Sequence, residues 1–342
     1  MYYKLKQIIE EHWYNQDNIV VHYLINLLLL PFSLLFFIIS RIRYYLYKTN
    51  LFKVYQLPVP VVVVGNISVG GVGKTPLTIH LVKTLQKHNI FVGVILRGYK
   101  GSVTTPMICN KNSDVKMVGD EAILYANCDI PVCVFSNRYL AGLELLKNYP
   151  SLDMIIMDDG LQHYALKRDY EIVVIDTTRY FGNKFVLPNG PLRETVSRVK
   201  MADVLVLNGD SQQSNDLDNI KIPIIYQNLA INKIYNPKLD YYYSIEELNT
   251  MKITVMVAMG NPERFCQFLI KNGINITNKL FYADHYYYQE QDIPNNSDII
   301  LVTSKDYTKL KQYNNSKIVI VTIDVILSNN YLENILINIK NK

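Results

Sequence analysis

The sequence predicts an α/β protein built on a doubly wound, mostly parallel sheet, with a membrane-associated helix at the N-terminus. Three observations carry this. A β-branched run at 59–64 feeds a glycine-rich turn and then a helical pattern, short apolar runs alternate with helical patterns through the rest of the chain, and residues 20–39 are almost uniformly apolar. Alternation of that kind marks parallel strands joined by crossover helices.

Residues 20–39 read VVHYLINLLLLPFSLLFFII, about the length needed to cross a ~30 Å hydrocarbon core as a helix. Only His22, Asn26 and Ser33 are polar, and Pro31 is expected to kink the helix, a feature that membrane helices tolerate. Arg41, Arg43, Lys48 and Lys53 follow, interleaved with Tyr44, Tyr45 and Tyr47, and cations mixed with aromatics suit a cytoplasmic membrane interface. The stretch starts too far from Met1, and lacks the small-residue cleavage site, to be a signal peptide. The alternative is a helical hairpin packed on the soluble body with its turn at Pro31. Membrane association is the expectation, because no other segment is comparably apolar. Whether the helix spans or lies in one leaflet stays open.

Next comes VVVVGNISVGGVGKTP (61–76). The β-branched run suits a strand buried on both faces. The following LTIHLVKTLQKHN (77–89) places Ile79, Leu81, Val82 and Leu85 at helical spacing, with Pro76 confined to the first turn, where its missing N–H is harmless. Strand, turn and helix form the context a phosphate loop requires. Ser68, Val69, Gly70, Gly71, Val72 and Gly73 are expected to wrap phosphate oxygens, and the helix start at Lys74, Thr75 and Pro76 adds its partial positive charge. Lys74 would reach the β- and γ-phosphates of ATP, and the Thr75 hydroxyl would meet Mg²⁺. The general pattern wants glycine at 68, where this chain has Ser68.

A second Mg²⁺ ligand is expected at the end of another buried strand. LDMIIMDDGLQH (152–163) supplies it, as Asp158 or Asp159. The bland alternative is an Asp-Asp-Gly turn. Further strand-like runs lie at 171–176, 202–209, 253–260, 298–306 and 317–324. Ligands of such sheets gather at the carboxyl ends of strands. That would collect Gly119-Asp120-Glu121, Asp158-Asp159, Gly190-Pro191-Leu192-Arg193-Glu194 and Asp284-His285.

The totals narrow the class. A chain of 342 residues can bury more than one core, and the expected segments are 1–50 (membrane-associated), 51–225 (phosphate-loop core) and 226–342 (C-terminal α/β unit). A net charge of +5 with no basic arm argues against nucleic acid. The four cysteines form no CxxC pair, so reduced thiols in a cytoplasmic body are expected.

These motifs resemble those of the tetraacyldisaccharide 4′-kinase family, the lipid A 4′-kinases of Gram-negative bacteria. GNISVGGVGKTP (65–76), LRGY (96–99), VGDE (118–121), DDGLQH (158–163), GPLRE (190–194), GNPERF (260–265) and DHYYY (284–288) stand in the family's order across most of the chain. The resemblance implies two α/β/α units, a core bearing the phosphate loop and a smaller C-terminal one. It implies ATP-dependent phosphorylation of the 4′-hydroxyl of a tetraacylated glucosamine disaccharide 1-phosphate, giving lipid IVA. It also accounts for Ser68, since the family keeps serine there. The implied partners are that lipid A precursor and inner-membrane lipid; no oligomeric partner is indicated.

By the same resemblance Asp120 and His285 look like the pair that activates the acceptor hydroxyl. An alcohol is a poor nucleophile, and a carboxylate held by an imidazole can take its proton, an assistance typically worth ~10²–10⁴ in rate. The bland alternatives are a helix N-cap for Asp120 in GDEAILYA and a surface loop position for His285. Arg97 and Arg193 could clamp phosphate groups, Glu121 and Gln162 are further candidates for binding substrate or phosphate, and His163 could bind nucleotide or merely orient the aspartates. The chain departs from the family at Ser304 (commonly glutamate), Ala122 (usually proline) and Lys100 (usually glycine). Two rivals remain: a partition-type or metallochaperone-type ATPase, and a non-catalytic membrane-anchored nucleotide-binding protein. The first carries a signature lysine where this chain has Val69, and the second would be expected to have lost Lys74, Thr75 or Asp158.

Overall fold

Val61–Gly65 is buried at every position, as its unbroken β-branched run requires of a strand covered on both faces. Each such valine contributes roughly 1.5–3 kcal/mol by leaving water. The computed structural model describes residues 2–14, 19–99, 101–209 and 217–340; Lys100, noted above, lies outside them. The elements run α1 (Tyr2–Tyr14), α2 (Ile19–Lys48), β1 (Val61–Gly65), α3 (Lys74–Lys87), β2 (Val92–Leu96), β3 (Met107–Cys109), α4 (Val115–Val118), α5 (Asp120–Asn127), β4 (Val132–Val134), α6 (Arg138–Asn148) and β5 (Met154–Asp158). There follow β6 (Tyr170–Asp176), β7 (Val204–Asn208), β8 (Ile224–Asn236), β9 (Tyr241–Tyr242), α7 (Ile245–Leu248), β10 (Ile253–Ala258), α8 (Pro262–Lys271), β11 (Asn278–Tyr282), β12 (Ile299–Thr303), α9 (Ser304–Leu310), β13 (Ile318–Leu327) and α10 (Tyr331–Lys340). The class is α/β with mixed, mostly parallel strand pairing, as expected.

Two compact units share the chain. The first takes Met1–Lys74, Leu152–Asn228 and Leu327–Lys342; the second takes Thr75–Ser151 and Leu229–Ile326. The segments expected from sequence are contiguous, whereas these units are assembled from separated stretches. Neighbours in a parallel sheet are joined by crossovers and need not be neighbours in sequence.

In the first unit the strand order is β8-β7-β6-β1-β5, parallel throughout. The N-terminal helices dock on the loop after β6. His12 Nε2 lies 3.0 Å from Asn189 Oδ1, the Trp13 indole donates to Pro188 O, and Arg179 stacks over Tyr14. Helix α2 passes through Pro31 without a break, so the hairpin alternative does not describe it. Among its described residues the buried polar anchor is Ser33, whose hydroxyl donates to Val186 O and accepts from Asn189 N. Most of its large apolar side chains face outward, among them Leu24, Leu27, Leu28, Leu34, Leu35 and Ile39, each more than half exposed.

In the second unit β11-β10-β12-β13 pair in parallel, as do β2 and β4, while β3 joins β4 antiparallel. Period-two alternation splits β10 between two cores. Ile253, Val255 and Val257 pack with Phe265 and Leu269 of α8, and Met256 and Ala258 pack with Tyr288 and Leu310.

Candidate active site

In the first unit β1 delivers the chain to the loop, with Val64 in register beside Asp158 at the end of β5. The chain just past β5 comes so close to the end of β1 that a Cβ on Gly65 would stand 2.5 Å from Leu161 Cβ. Residues 67–69 are stitched to 191–193: Arg193 N donates to Ile67 O at 2.6 Å, Val69 N donates to Pro191 O at 2.9 Å, and Ser68 bridges Leu192. The GPLRE segment therefore backs the loop. Further on, Asn208 Nδ2 donates to Val72 O at 2.8 Å and Gln227 Nε2 to Gly73 O at 3.4 Å. Asn208 ends β7, and its register partner Gln227 lies near the start of β8, three positions past Ile224. In a trans peptide C=O and the following N–H point oppositely. Tying these two carbonyls to the sheet turns the Gly73 and Lys74 N–H groups the other way, as a phosphate cradle needs.

Lys74 opens α3, with Thr75 and Pro76 next in its first turn. Its ammonium lies 3.1 Å from Asn66 Oδ1 and 3.3 Å from Asp159 Oδ1. Arg193 Nη1 donates to both Asp159 oxygens at 2.9 Å. Partial desolvation of the Asp159 carboxyl favours the neutral acid, but Lys74 and Arg193 outweigh it and hold the group well below the usual carboxylate range. Asp158 is buried, and one of its oxygens accepts the Asp159 N–H at 2.9 Å. Gln162 Nε2 donates to Asn66 O and to Glu194 Oε1, both at 3.0 Å. Behind it Tyr164 bonds Glu194, and Arg198 holds both oxygens of buried Glu171 at 2.7 Å. His163 contributes its carbonyl to Arg168 at 2.7 Å.

In the second unit Asp120 and His285, separated by 165 residues, meet: Nδ1 lies 2.9 and 3.0 Å from the two carboxylate oxygens. Asp120 is the first residue of α5 rather than its cap. Gly119 takes the cap position with φ 84° and makes no side-chain cap bond, so the Asp120 side chain is left to its ionic partners. Nor is His285 a surface loop residue. Its side chain is 11% exposed, its φ is 62°, and its ring lies 5.1 Å from that of Tyr99. Lys305 and Lys309 approach Asp120 Oδ2 at 3.6 and 3.4 Å. Burial opposes the charge of Asp120, yet the His285 hydrogen bond and the two ammonium groups hold its carboxyl well below the usual range. Burial likewise works against the charge of Lys305, and Asp120, Asp284 and Glu121 overcome it and raise its pKa. Arg97 is exposed just past β2 and forms no ion pair among the described residues.

The family described as tetraacyldisaccharide-1-P 4′-kinase matches residues 25–340. The chain belongs to the tetraacyldisaccharide-1-P 4′-kinase family. Among relatives, the tetraacyldisaccharide 4′-kinase of Actinobacillus succinogenes is 40% identical over 311 residues, covering 88% of this chain and 89% of the relative. That of Chromobacterium violaceum is 39% identical over 307 residues, covering 89% and 88%. A crystal structure of the Aquifex aeolicus LpxK in complex with ATP superposes with a TM-score of 0.76 at 29% identity, over 91% of this chain and 98% of that one.

Within this tetraacyldisaccharide-1-P 4′-kinase family member, several residues at the two clusters escaped the sequence reading. Asn66 sits inside GNISVGGVGKTP, where nothing local marks its side chain, and Asn208 and Gln227 lie outside every motif; all three hold the loop through their amides. The run 298–306, expected as strand throughout, ends as β12 at Thr303, and α9 begins at Ser304, which puts Lys305 and Lys309 at i, i+4 on one helical face.

Proposed function

We propose that this chain transfers the γ-phosphoryl group of ATP to the 4′-hydroxyl of a tetraacyldisaccharide 1-phosphate, the step of lipid A biosynthesis that yields lipid IVA. The observation that carries the reading is the Asp120–His285 pair, a proton acceptor for an alcohol in a chain that also bears a phosphate loop and belongs to a kinase family. The acceptor oxygen bonds to the γ-phosphorus, the bond to the ADP oxygen breaks, and the hydroxyl proton passes to the Asp120–His285 pair. Lys74 and the N–H groups from Gly70 to Lys74 hold the donor. Gly70 and Gly71 leave that side of the loop open, since a Cβ on either would meet nothing within 4 Å.

The donor set fits Mg²⁺, a hard cation that takes one or two protein oxygens and completes its shell with phosphate and water. Asp158 at the end of β5, or Asp159 beside it, would supply a carboxylate to the metal, and the Thr75 hydroxyl is the other protein oxygen that the sequence motif offers. Mg²⁺, when bound, neutralises the β- and γ-phosphate charge. Helix α2 is assigned to the cytoplasmic face of the inner membrane. The support is its exposed apolar surface and the Arg41, Arg43, Lys48 and Lys53 flank.

The deciding experiment incubates the purified full-length protein with γ-labelled ATP, Mg²⁺ and a lipid A disaccharide 1-phosphate. Label on the 4′-oxygen is expected. Label recovered only as inorganic phosphate would favour the ATPase rival.

A further inference from the structure

Three buried charged side chains stand in line in the second unit: Asp120, Lys309 and Asp306 are 4%, 2% and 1% exposed. Lys309 Nζ lies 3.4 Å from Asp120 Oδ2 and 3.8 Å from Asp306 Oδ1. Burying three charges costs several kcal/mol per ion unless geometry repays it. Here the far end is fixed. Asp306 accepts from the Thr303 hydroxyl at 2.6 Å, the Tyr288 hydroxyl at 2.9 Å and the Ala258 N–H at 3.1 Å. The ends of β10 and β12 thus locate Asp306, Asp306 locates Lys309, and Lys309 reaches the carboxylate that His285 also holds.

We propose that Lys309 is a positioning residue for phosphoryl transfer, bridging Asp120 to Asp306 so that the Asp120 carboxylate stays ionised and aimed at His285 and the acceptor hydroxyl. The inference rests on the function proposed above. Lys305, one turn away on the same helix, is 20% exposed and divides itself between Asp120 and Asp284. It can follow ligand or solvent, whereas Lys309 is enclosed. The other ionisable groups around Asp120 are His285, Asp284, Glu121 and Tyr287, with Asp114 at the head of α4, Tyr99 against the His285 ring and Tyr288 beneath the Lys309 ammonium. Removing the Lys309 charge, which stands 3.4 Å from Asp120 Oδ2, raises the proton affinity of the Asp120 carboxylate.

A competing role is that Lys309 merely neutralises Asp306. The variants Lys309→Met and Lys309→Met/Asp306→Asn separate the two, because the paired variant leaves neither charge buried alone. Both are assayed as full-length, detergent-solubilised protein with Mg·ATP and the disaccharide 1-phosphate, and thermal unfolding checks the fold. Expected for both is a fall in kcat of roughly tenfold or more with KM for ATP within about twofold. The acid limb of kcat/KM should move up by roughly one pH unit. If Lys309→Met fails to fold, the paired variant decides. A paired variant with wild-type kcat and an unmoved acid limb overturns the proposal. Failure of the wild-type protein to label the lipid overturns the functional reading instead.

Discussion

Gly73→Ala is a direct test of how the phosphate loop is held. At Gly73 φ is 93°, and an added Cβ would sit 2.1 Å from Asn208 Nδ2, 2.9 Å from its Cγ and 3.2 Å from Gln227 Nε2. Left-handed backbone costs an L-residue about 1–2 kcal/mol. Pushing Asn208 aside breaks its 2.8 Å bond to Val72 O and leaves a buried amide short of a partner, a further ~1–3 kcal/mol. The sum is about 2–5 kcal/mol, at ~2–4 °C per kcal/mol for a chain of several hundred residues. The expected result is a Tm lower by at least about 4 °C, and an ATP affinity weaker by roughly tenfold or more because the nucleotide must restore the loop. Gly71→Ala is the control: its Cβ meets nothing within 4 Å, so Tm should stay within about 1 °C. Differential scanning calorimetry and isothermal titration read both quantities. A Gly73→Ala protein that melts and binds ATP like wild type would refute the claim that Asn208 and Gln227 shape the loop.

Other expectations follow from buried charge and exposed apolar surface. Arg198→Leu strands Glu171, whose two oxygens it holds at 2.7 Å, and should cost about 3 kcal/mol in chemical denaturation, the low end of the usual range because Arg168 also reaches that carboxylate. Arg198→Leu/Glu171→Leu should recover much of the loss. Because His285, Lys305 and Lys309 depress the folded-state pKa of Asp120, its ionised form stabilises the fold above its unfolded value near ~4, and that contribution disappears as pH falls toward the folded value. The Tm gap between wild type and Asp120→Asn should therefore narrow below about pH 4; a constant gap would contradict the assignment. Finally, Leu24→Glu/Leu28→Glu/Leu35→Glu replaces side chains that are 60%, 69% and 57% exposed. It should release the protein from the membrane fraction while leaving Tm in detergent within a few degrees, and unchanged sedimentation would remove α2 from the membrane.

The elements that sequence made legible are those whose pattern is local. The run at 59–64 became β1, the 77–89 pattern became the body of α3 with Pro76 in its first turn, and the 154–157 run became β5 ending at Asp158. The strands β2, β3, β4, β8, β9 and β11 are not among the expected runs. Strand β4 is three residues long, β2 is as long as β1 and has no local explanation, and β8 mixes polar with apolar residues over Ile224–Asn236 because part of it is exposed. Asp120 and His285 were paired only through family motifs, since nothing local links residues 165 apart. The ionic partners of Asp120 on α9 and the amides behind the loop arise from long-range packing. Ser304 simply opens that helix, so the departure from glutamate leaves its lysines in place.

Helix α2 is not joined to the phosphate loop by a slack tether. Ser33 is pinned to the 186–189 backbone, Arg43 donates to Gln162 O, Tyr44 meets the Tyr164 ring, and Tyr55 exchanges backbone hydrogen bonds with Ala165 and Lys167 on the way to β1. With α2 in a bilayer as proposed, the loop rides on a bracket at a set height above the headgroups. An acyl-chained acceptor can then find it by lateral diffusion alone, a search in two dimensions instead of three, while ATP arrives freely from the aqueous side.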